Sequence, residues 1–527
     1  MKNIPFSLRL MLFICFISAN ISAQDAEFPL PIAKGIDFKN EHIPTVIPPD
    51  SEPPRALPEG EFTENRKVFW VHGHGGNVGS WDRAAAATQN AQIPPLVNPA
   101  DPSSPNNYYP RKVISHKIDY SGSHNAVSSA GSDIKTQIEA ISAIQTPTEK
   151  QQNIVIAHSL GGLVSEYADY LYDNESDENR SFYGLVTVGT PNLGAILSAN
   201  AYPYSGSKAS QFADEACKAL TAGPIAGKIA DKFALQLLSN FVNVEKLTSE
   251  FCDFLTDDVA TLLLKGFSTP IAADLNPNSQ VVGLLSNHMP EVTRRVAFYG
   301  VVDNQDLIWK TYHYLKNGPN TEPSFAADNT QVTIDKMNNN KSKYQSNVDA
   351  WDNKVDDLTV AIGACWWFPP SCLVLIAQRN KAIHVRNAYQ KGLDWWNSAN
   401  DKWRNLMGDI TLVASPQGSC KCTDYNVVTG QTSGPNSTFG LLGNCTANHF
   451  AYPISQTCEW VTTYTLQDVA SDGIVQESTA IALPGAVASY KFDGDTHFQM
   501  VNSPRLKDAL NQLWDGKLHL FFKTDKK

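Results

Sequence analysis

The sequence predicts an α/β fold built on a mostly parallel sheet, with two large insertions. Short apolar or β-branched runs at Val68–Val71, Val113–Tyr120, Ile154–Ala157, Gly184–Val188 and Val296–Val302 alternate with segments of helical periodicity. The run at Ile154 passes directly into a helical pattern through one serine in a cramped setting, Ala-His-Ser159-Leu-Gly-Gly. The strand–helix rhythm then breaks twice, at 196–275 and after Asp306, and resumes before the C-terminus.

The chain has 527 residues, 18% charged and 42% hydrophobic, which suits a globular protein of two or three domains. A formal charge of -11 excludes the basic footprint of a nucleic-acid binder or of docking on anionic lipid. Lys2 and Arg9 precede the apolar run Leu10–Ile17, and Ile21-Ser-Ala23 offers a small-residue cleavage site. Residues 1–23 therefore read as a secretory signal peptide, cut after Ala23, and the run is too short for a membrane anchor. The expected location is outside the cytoplasm: secreted, periplasmic or at the cell surface.

Of nine cysteines, Cys15 lies within this leader, leaving 217, 252, 365, 372, 420, 422, 445 and 458. An even number in an exported chain favours disulfides. The set at 420, 422, 445 and 458 matches no common zinc spacing, so no metal is expected.

Residues 24–63 are proline-rich and form an extended leader. The first part of the core spans 64–306, with an amphipathic helix at Ser132–Ile144. Within it, 196–275 reads as a helical lid in which Cys217 and Cys252 are positioned to staple two helices. The insertion at 307–465 opens with apolar residues at 334, 337, 344, 348, 351, 355, 358 and 362, and Val385, Tyr389, Trp396, Trp403 and Met407 continue the spacing. This predicts two long antiparallel helices. Pro369 and Pro370 break the helix at a tip, Cys365-Trp-Trp-Phe-Pro-Pro-Ser-Cys372. Trp366, Trp367 and Phe368 suit a lipid interface, but aromatics are costly in water, and packing of the tip on the lid or a partner subunit is the preferred expectation. Trp395 and Trp396 are expected in the hairpin seam rather than stacked on a sugar. Residues 409–465 read as a small cysteine-rich β region, and 466–527 return to the core with a terminal helix at 503–514.

A strand that turns sharply into a helix leaves the turn residue above the sheet, beside the helix N-terminus and its unpaired N–H groups. The turn needs small residues two positions to either side; here they are Ala157 and Gly161, with Gly162 allowing close helix packing. This stretch resembles the nucleophile elbow of the α/β-hydrolases, in the A-H-S-x-G-G form of several bacterial lipases. Val71-His-Gly-His-Gly-Gly76 resembles their H-G-x-G-G loop, and Val188-Gly-Thr-Pro-Asn-Leu-Gly194 their G-T-P strand end. Asp274-Leu-Asn-Pro-Asn-Ser279 is similar to the D-L-x-P-x-S stretch after their lid. The resemblance covers 66–300 and 466–527 but not the insertion at 307–465.

The resemblance implies a serine hydrolase of lipase or carboxylesterase type, acting on an ester or lipid without a cofactor. It makes Ser159 the nucleophile, and it gives the backbone N–H groups of His74 and Leu160 to the oxyanion hole. Asp472, in a D-G-x-V segment, would be the acid, and His497 in Asp493-Gly-Asp-Thr-His the base. Asp303 and Asp306, just after a core strand, are the rival acids. His158 is expected to pack rather than act as a base, and His313, His384 and His449 to be structural or surface residues. His116, His124 and His288 carry no motif. Two other readings stay open: an amidase, peptidase or polyester depolymerase with the same triad, and a non-catalytic binding protein on this fold.

Overall fold

A computed structural model describes residues 65–514 apart from 89–91, 94–110, 121–125, 175–179, 203–206, 234–268, 304, 318–324, 326–327, 366–368, 427–435 and 439–450. The leader, His124, Cys252, Trp366, Trp367, Phe368, Cys445 and His449 thus lie outside the described residues. The chain divides into two compact units: a large one, 39–411 with 466–527, and a small one whose described part lies within 412–465.

The large unit is built on a seven-stranded sheet, and six of its strands run parallel: β1 (Asn65–Val71), β3 (Arg111–Ile118), β4 (Ile154–His158), β5 (Gly184–Val188), β6 (Arg294–Val301) and β10 (Ala486–Asp493). The short β2 (Gln92–Ile93) pairs antiparallel to β3 at one edge, giving the order β10-β6-β5-β4-β1-β3-β2. Side chains alternate between two buried layers. Phe69, Val71, Val155, Ala157 and Leu185 enter one core, while Val68, Trp70, Ile154, Ile156 and Val186 enter the other. A parallel sheet covered on both faces reads as continuous apolar runs, which is why these strands stand out in the sequence.

Helix α1 (Asp82–Thr88) and the C-terminal α9 (Pro504–Trp514) cover the second face. Helices α2 (Val127–Ser142) and α3 (Leu160–Asp173) cover the first. Helix α2 starts five residues before the periodicity indicates, because Gly131 is buried against Tyr167 of α3: a Cβ there would lie 2.8 Å from that ring. The glycine permits close helix contact rather than breaking the helix. The Asp274 carboxylate accepts the Val127 N–H at 2.8 Å, capping α2 from the far side of the first insertion.

Both insertions leave and re-enter the sheet at one point. The first begins with α4 (Ile196–Ala201) and α5 (Lys208–Phe233), and Ala195 N–H donates to Leu275 O at 2.8 Å where it closes. The second leaves β6 through α6 (Leu307–Asn317) and returns at Ser471, whose carbonyl accepts the Val302 N–H at 2.9 Å. Its helices α7 (Gln331–Ala364) and α8 (Pro369–Met407) run antiparallel, with Thr359 facing Arg379, Asp352 facing Arg386 and Tyr344 facing Tyr389.

A disulfide joins Cys365 to Cys372 at the turn. The other half of the hairpin packs on the first insertion: the Tyr344 hydroxyl donates to Leu220 O, and Phe212 meets Trp395 and Trp403. Trp395 and Trp396 are buried, Trp396 against Trp309 and Tyr344. The base of the hairpin thus meets the described helices after Gly194.

The small unit carries β7 (Ile410–Asn426), β8 (Asn436–Thr438) and β9 (Ala451–Asp468) in a sheet of order β8-β7-β9, with β7 and β8 antiparallel. Among the described residues no helix is long and apolar enough to cross a membrane.

Candidate active site

Ser159 occupies the turn between β4 and α3 with φ 53° and ψ -128°, a region that non-glycine residues rarely adopt. Its neighbours leave no room for larger side chains. A Cβ on Gly161 would fall 2.2 Å from the His72 carbonyl oxygen, and one on Gly162 would fall 1.9 Å from Thr190 Oγ1. The Ser159 N–H donates to Val188 O at 2.9 Å, fixing the turn to the end of β5. The first N–H groups of α3, Leu160 among them, lie where the helix offers no partner carbonyl.

The loop after β1 crosses directly over the serine, since a Cβ on Gly73 would lie 2.8 Å from Ser159 Cβ. His72 is buried and stacked on Tyr120 with ring centroids 4.3 Å apart, and the Tyr120 hydroxyl donates to the His72 carbonyl at 2.9 Å. His74, the next residue but one, is half-buried.

Asp472 and His497 come together on the far side of Ser159 from this loop's anchor at Tyr120. The His497 imidazole Nδ1 lies 2.8 Å from Asp472 Oδ2, and both side chains are buried. Asp472 Oδ1 accepts the N–H groups of Ile474 at 3.0 Å and Val475 at 2.7 Å. Gly473 makes this turn possible with φ 90°, which gives the D-G-x-V segment a mechanical meaning. With Oδ1 taken up by these backbone donors, Oδ2 is left to accept from His497 Nδ1, which leaves the Nε2 lone pair available. The His497 N–H also donates to Asp472 O at 2.9 Å.

Ser159 and this pair are linked through β5. Val188 accepts the serine N–H, and a Cβ on the following Gly189 would lie 3.1 Å from Asp472 Oδ2 and 3.2 Å from His497 Nδ1. All three residues thus sit beyond the carboxyl ends of the parallel strands, where open α/β sheets place ligands.

The rival acids lie elsewhere in the hydrogen-bond network. Asp303 is exposed and accepts the Gln305 N–H at 3.2 Å, and the Asp306 carbonyl caps the start of α6. The return of the chain at Ser471 explains the ambiguity. Asp472 arrives beside the end of β6, the strand that Asp303 follows directly, after a long excursion in sequence.

Among the remaining histidines, His313 bonds Thr333 at 2.8 Å, His288 meets Asp173 at 2.8 Å, His116 stacks on Phe69, and His384 is exposed. His158 does more than pack: its Nε2–H donates to the His497 carbonyl at 2.9 Å, and the two rings lie 4.6 Å apart. Burial, reinforced by the neighbouring His497, pushes its imidazole well below the ordinary range and keeps it neutral. Nothing in the sequence spacing links residue 158 to residue 497.

Sequence reasoning also missed two buried carboxyls. Asp409, at the root of the hairpin, is pushed up to about 7 by burial and by the charge of Asp472, against the Ser471 hydroxyl and Arg404. Its own N–H and C=O pair with Arg404 O and the Val469 N–H, where the insertion closes. Glu166, nearly two turns into α3, is pushed up to about 8 by burial, against the pull of Arg295. Beside it Asp169 binds Arg180, Thr293 and Arg295, a buried polar cluster tying α3 to β6. Among the described residues no group of three His, Cys, Asp or Glu is placed to hold a metal.

Residues 68–223 match a family described as "Putative serine esterase (DUF676)". No curated protein matches the chain. Among solved structures it is similar to phospholipase PlaB from Legionella pneumophila, with 10% identity over 45% of this chain and 39% of that one, TM-score 0.24. It is also similar to an extracellular alpha/beta-hydrolase from a Paenibacillus species, with 14% identity over 28% of this chain and 51% of that one, TM-score 0.17. A third is the RedJ thioesterase of the prodiginine biosynthetic pathway in Streptomyces coelicolor, with 11% identity over 50% of this chain and 74% of that one, TM-score 0.24. The chain spans less than two thirds of the first two. Its sheet topology, the serine at the strand–helix turn and the esterase-family match over 68–223 give this chain an α/β-hydrolase fold.

Proposed function

We propose that the chain is an exported serine hydrolase that cleaves carboxylic esters of lipids through an acyl-enzyme. The observation that carries this reading is the buried Asp472–His497 pair, set through Gly189 and Val188 beside Ser159. Ser159 Oγ attacks the ester carbonyl while His497 Nε2 takes its proton. Asp472 stays ionised, holding the imidazole in the right tautomer and stabilising the imidazolium. The N–H groups of His74 and Leu160 receive the oxyanion. His497 then protonates the departing alcohol, and the same nitrogen activates water against the acyl-enzyme.

Export is supported by the leader pattern at 1–23, with cleavage after Ala23, and by the Cys365–Cys372 bridge, a bond that oxidising compartments sustain.

The test is hydrolysis of p-nitrophenyl esters from acetyl to palmitoyl by the mature protein and its Ser159→Ala variant. Turnover that the variant loses supports the reading, and the preferred chain length places the enzyme between lipase and short-chain esterase. A folded protein inert on every ester overturns the ester assignment and favours an amide or polymer substrate. Turnover unchanged in the variant overturns the role of Ser159.

A further inference from the structure

The root of the hairpin ends against the turn that carries Asp472. Gly408, the residue after α8, adopts φ 87°, and a Cβ there would lie 2.7 Å from Ile196 Cβ of α4. Asn200 of α4 donates from Nδ2 to Leu406 O at 2.7 Å, so the end of α8 is pinned to the first insertion. On its other side the Gly408 carbonyl accepts the Gln476 side-chain N–H at 2.5 Å, and the Asp409 carbonyl accepts the Val469 N–H at 2.9 Å. Between these two ties residues 471–476 close on themselves. Ser471 bridges to Gln476, and Ser471 Oγ accepts the Gly473 N–H at 3.0 Å, with Asp472 between them.

The Asp409 side chain is fully buried at this junction, and among the described residues neither carboxyl oxygen finds a hydrogen bond of good geometry. A buried carboxyl in this state costs stability, and groups of that kind concentrate at functional sites. The Ser471 hydroxyl and the Asp472 charge act on it from the turn, and Arg404 acts on it from α8. Arg404 is also engaged by Asp468 and by Asp401, the latter at 3.7 Å. Helix α4 brings Ile196 and Asn200, neither of which titrates. Burial and the Asp472 charge favour the protonated form of Asp409.

We propose that Asp409 is a positioning residue for the catalytic acid, acting through the Ser471 hydroxyl and the 471–476 turn to hold Asp472 on His497. The inference rests on the serine-hydrolase reading of Ser159, Asp472 and His497. The Ser471 oxygen already accepts the Gly473 N–H, which leaves its proton to point at the Asp409 carboxyl. While protonated, Asp409 adds no second charge behind Asp472. Once ionised it does, and a nearby anion strengthens an imidazole's hold on its proton. The hairpin insertion thus contributes to catalysis through its root.

The test compares the mature chain with Asp409→Asn, Asp409→Ala, Ser471→Ala and the double variant Asp409→Ala with Ser471→Ala, each checked for folding by its thermal midpoint. Two readouts are followed from pH 5 to pH 9: hydrolysis of p-nitrophenyl esters, and the rate at which a fluorophosphonate labels Ser159. Asp409→Ala should lower kcat about tenfold with KM within about twofold, and Asp409→Asn, which keeps the shape without the charge, should recover most of that loss. In Asp409→Asn the acid limb of both profiles should move by at least about 0.3 unit to lower pH, because the second charge never forms. A group that only supports the fold leaves that midpoint in place. In the labelling rate the two alanine substitutions should be non-additive, the second costing about half as much or less once the first is present.

The inference is overturned if the acid limb of Asp409→Asn coincides with that of the unsubstituted chain, or if the two alanine substitutions simply multiply. If Asp409→Ala does not fold, the Asp409→Asn midpoint alone decides. Absence of labelling in the unsubstituted chain overturns the hydrolase reading and this inference with it; normal labelling with variants that do not differ overturns this inference alone.

Discussion

His158 and His497 are joined by one hydrogen bond, from the Nε2–H of the first to the backbone carbonyl of the second, at 2.9 Å. The residue before Ser159 thereby grips the loop that carries His497. Because burial keeps His158 neutral, its ring stays a donor with no charge to repel a protonated His497.

Removing this grip should loosen the base without altering substrate contacts. A hydrogen bond of this kind contributes about 0.5–1.5 kcal/mol. The expected result for His158→Ala is therefore a kcat up to about tenfold lower, with KM little changed. The acid limb of kcat/KM against pH should fall with a slope of one, since only one of the two imidazoles gains a proton there. A slope of two would contradict the neutral state of His158.

Asp409 should leave a mark on stability against pH. Its folded value of about 7 lies above the ordinary carboxylate value of about 3.9. The folded state thus keeps a proton that the unfolded chain releases, so this group's contribution is intact below about pH 4 and is lost as pH rises to about 7. Asp409→Asn removes that dependence. Its thermal midpoint, measured relative to the unsubstituted chain, should rise between pH 5 and pH 8; a constant difference would refute the assignment.

Gly161 has no slack. A methyl group there meets the His72 carbonyl, which is backbone and is itself held by Tyr120. Gly161→Ala should cost about 1–3 kcal/mol by urea denaturation. Because the displaced atoms belong to the loop over Ser159, ester turnover should fall by about 100-fold as well.

The cluster around Asp169 is expected to be structural. Asp169→Ala takes a buried carboxylate from two guanidiniums, leaving Arg180 with Asp173 and Arg295 with the Pro484 carbonyl, and should cost about 3–5 kcal/mol in urea. Whatever folded fraction survives at low temperature should retain KM, as the cluster lies at the amino-terminal end of β6, away from the carboxyl ends where Ser159 sits.

The sequence and the structure agree most closely where one segment carries its own signal. Apolar runs such as Ile154–Ala157 are strands because both faces of the sheet are covered, and the heptad-like spacing from Ile334 to Leu358 is a helix because a second helix buries it. The esterase-family match at 68–223 falls on the stretch that holds the elbow and the loop after β1.

What stayed hidden depends on pairs far apart in the chain. The start of α2 was obscured because Val127-Ser-Ser-Ala-Gly131 has little periodicity, and its cap, Asp274, lies across an insertion. The His158–His497 bond, the return of Ser471 to Val302 and the burial of Asp409 beneath Val469 are all closures of long loops. No local pattern encodes them. The expected packing of Trp366, Trp367 and Phe368 falls outside the described residues; beside them Leu373 and Val374 are exposed, and the hairpin's base meets the described helices after Gly194.

The central claim is that Ser159 is a nucleophile activated by His497 and Asp472. It is tested most directly by treating the mature protein with a fluorophosphonate probe and locating the adduct by mass spectrometry. The account predicts one adduct, on Ser159, absent from Ser159→Ala and formed at least 1,000-fold more slowly in His497→Ala, in line with the loss of a triad member. An adduct on another residue, or no adduct on a folded chain, would contradict it.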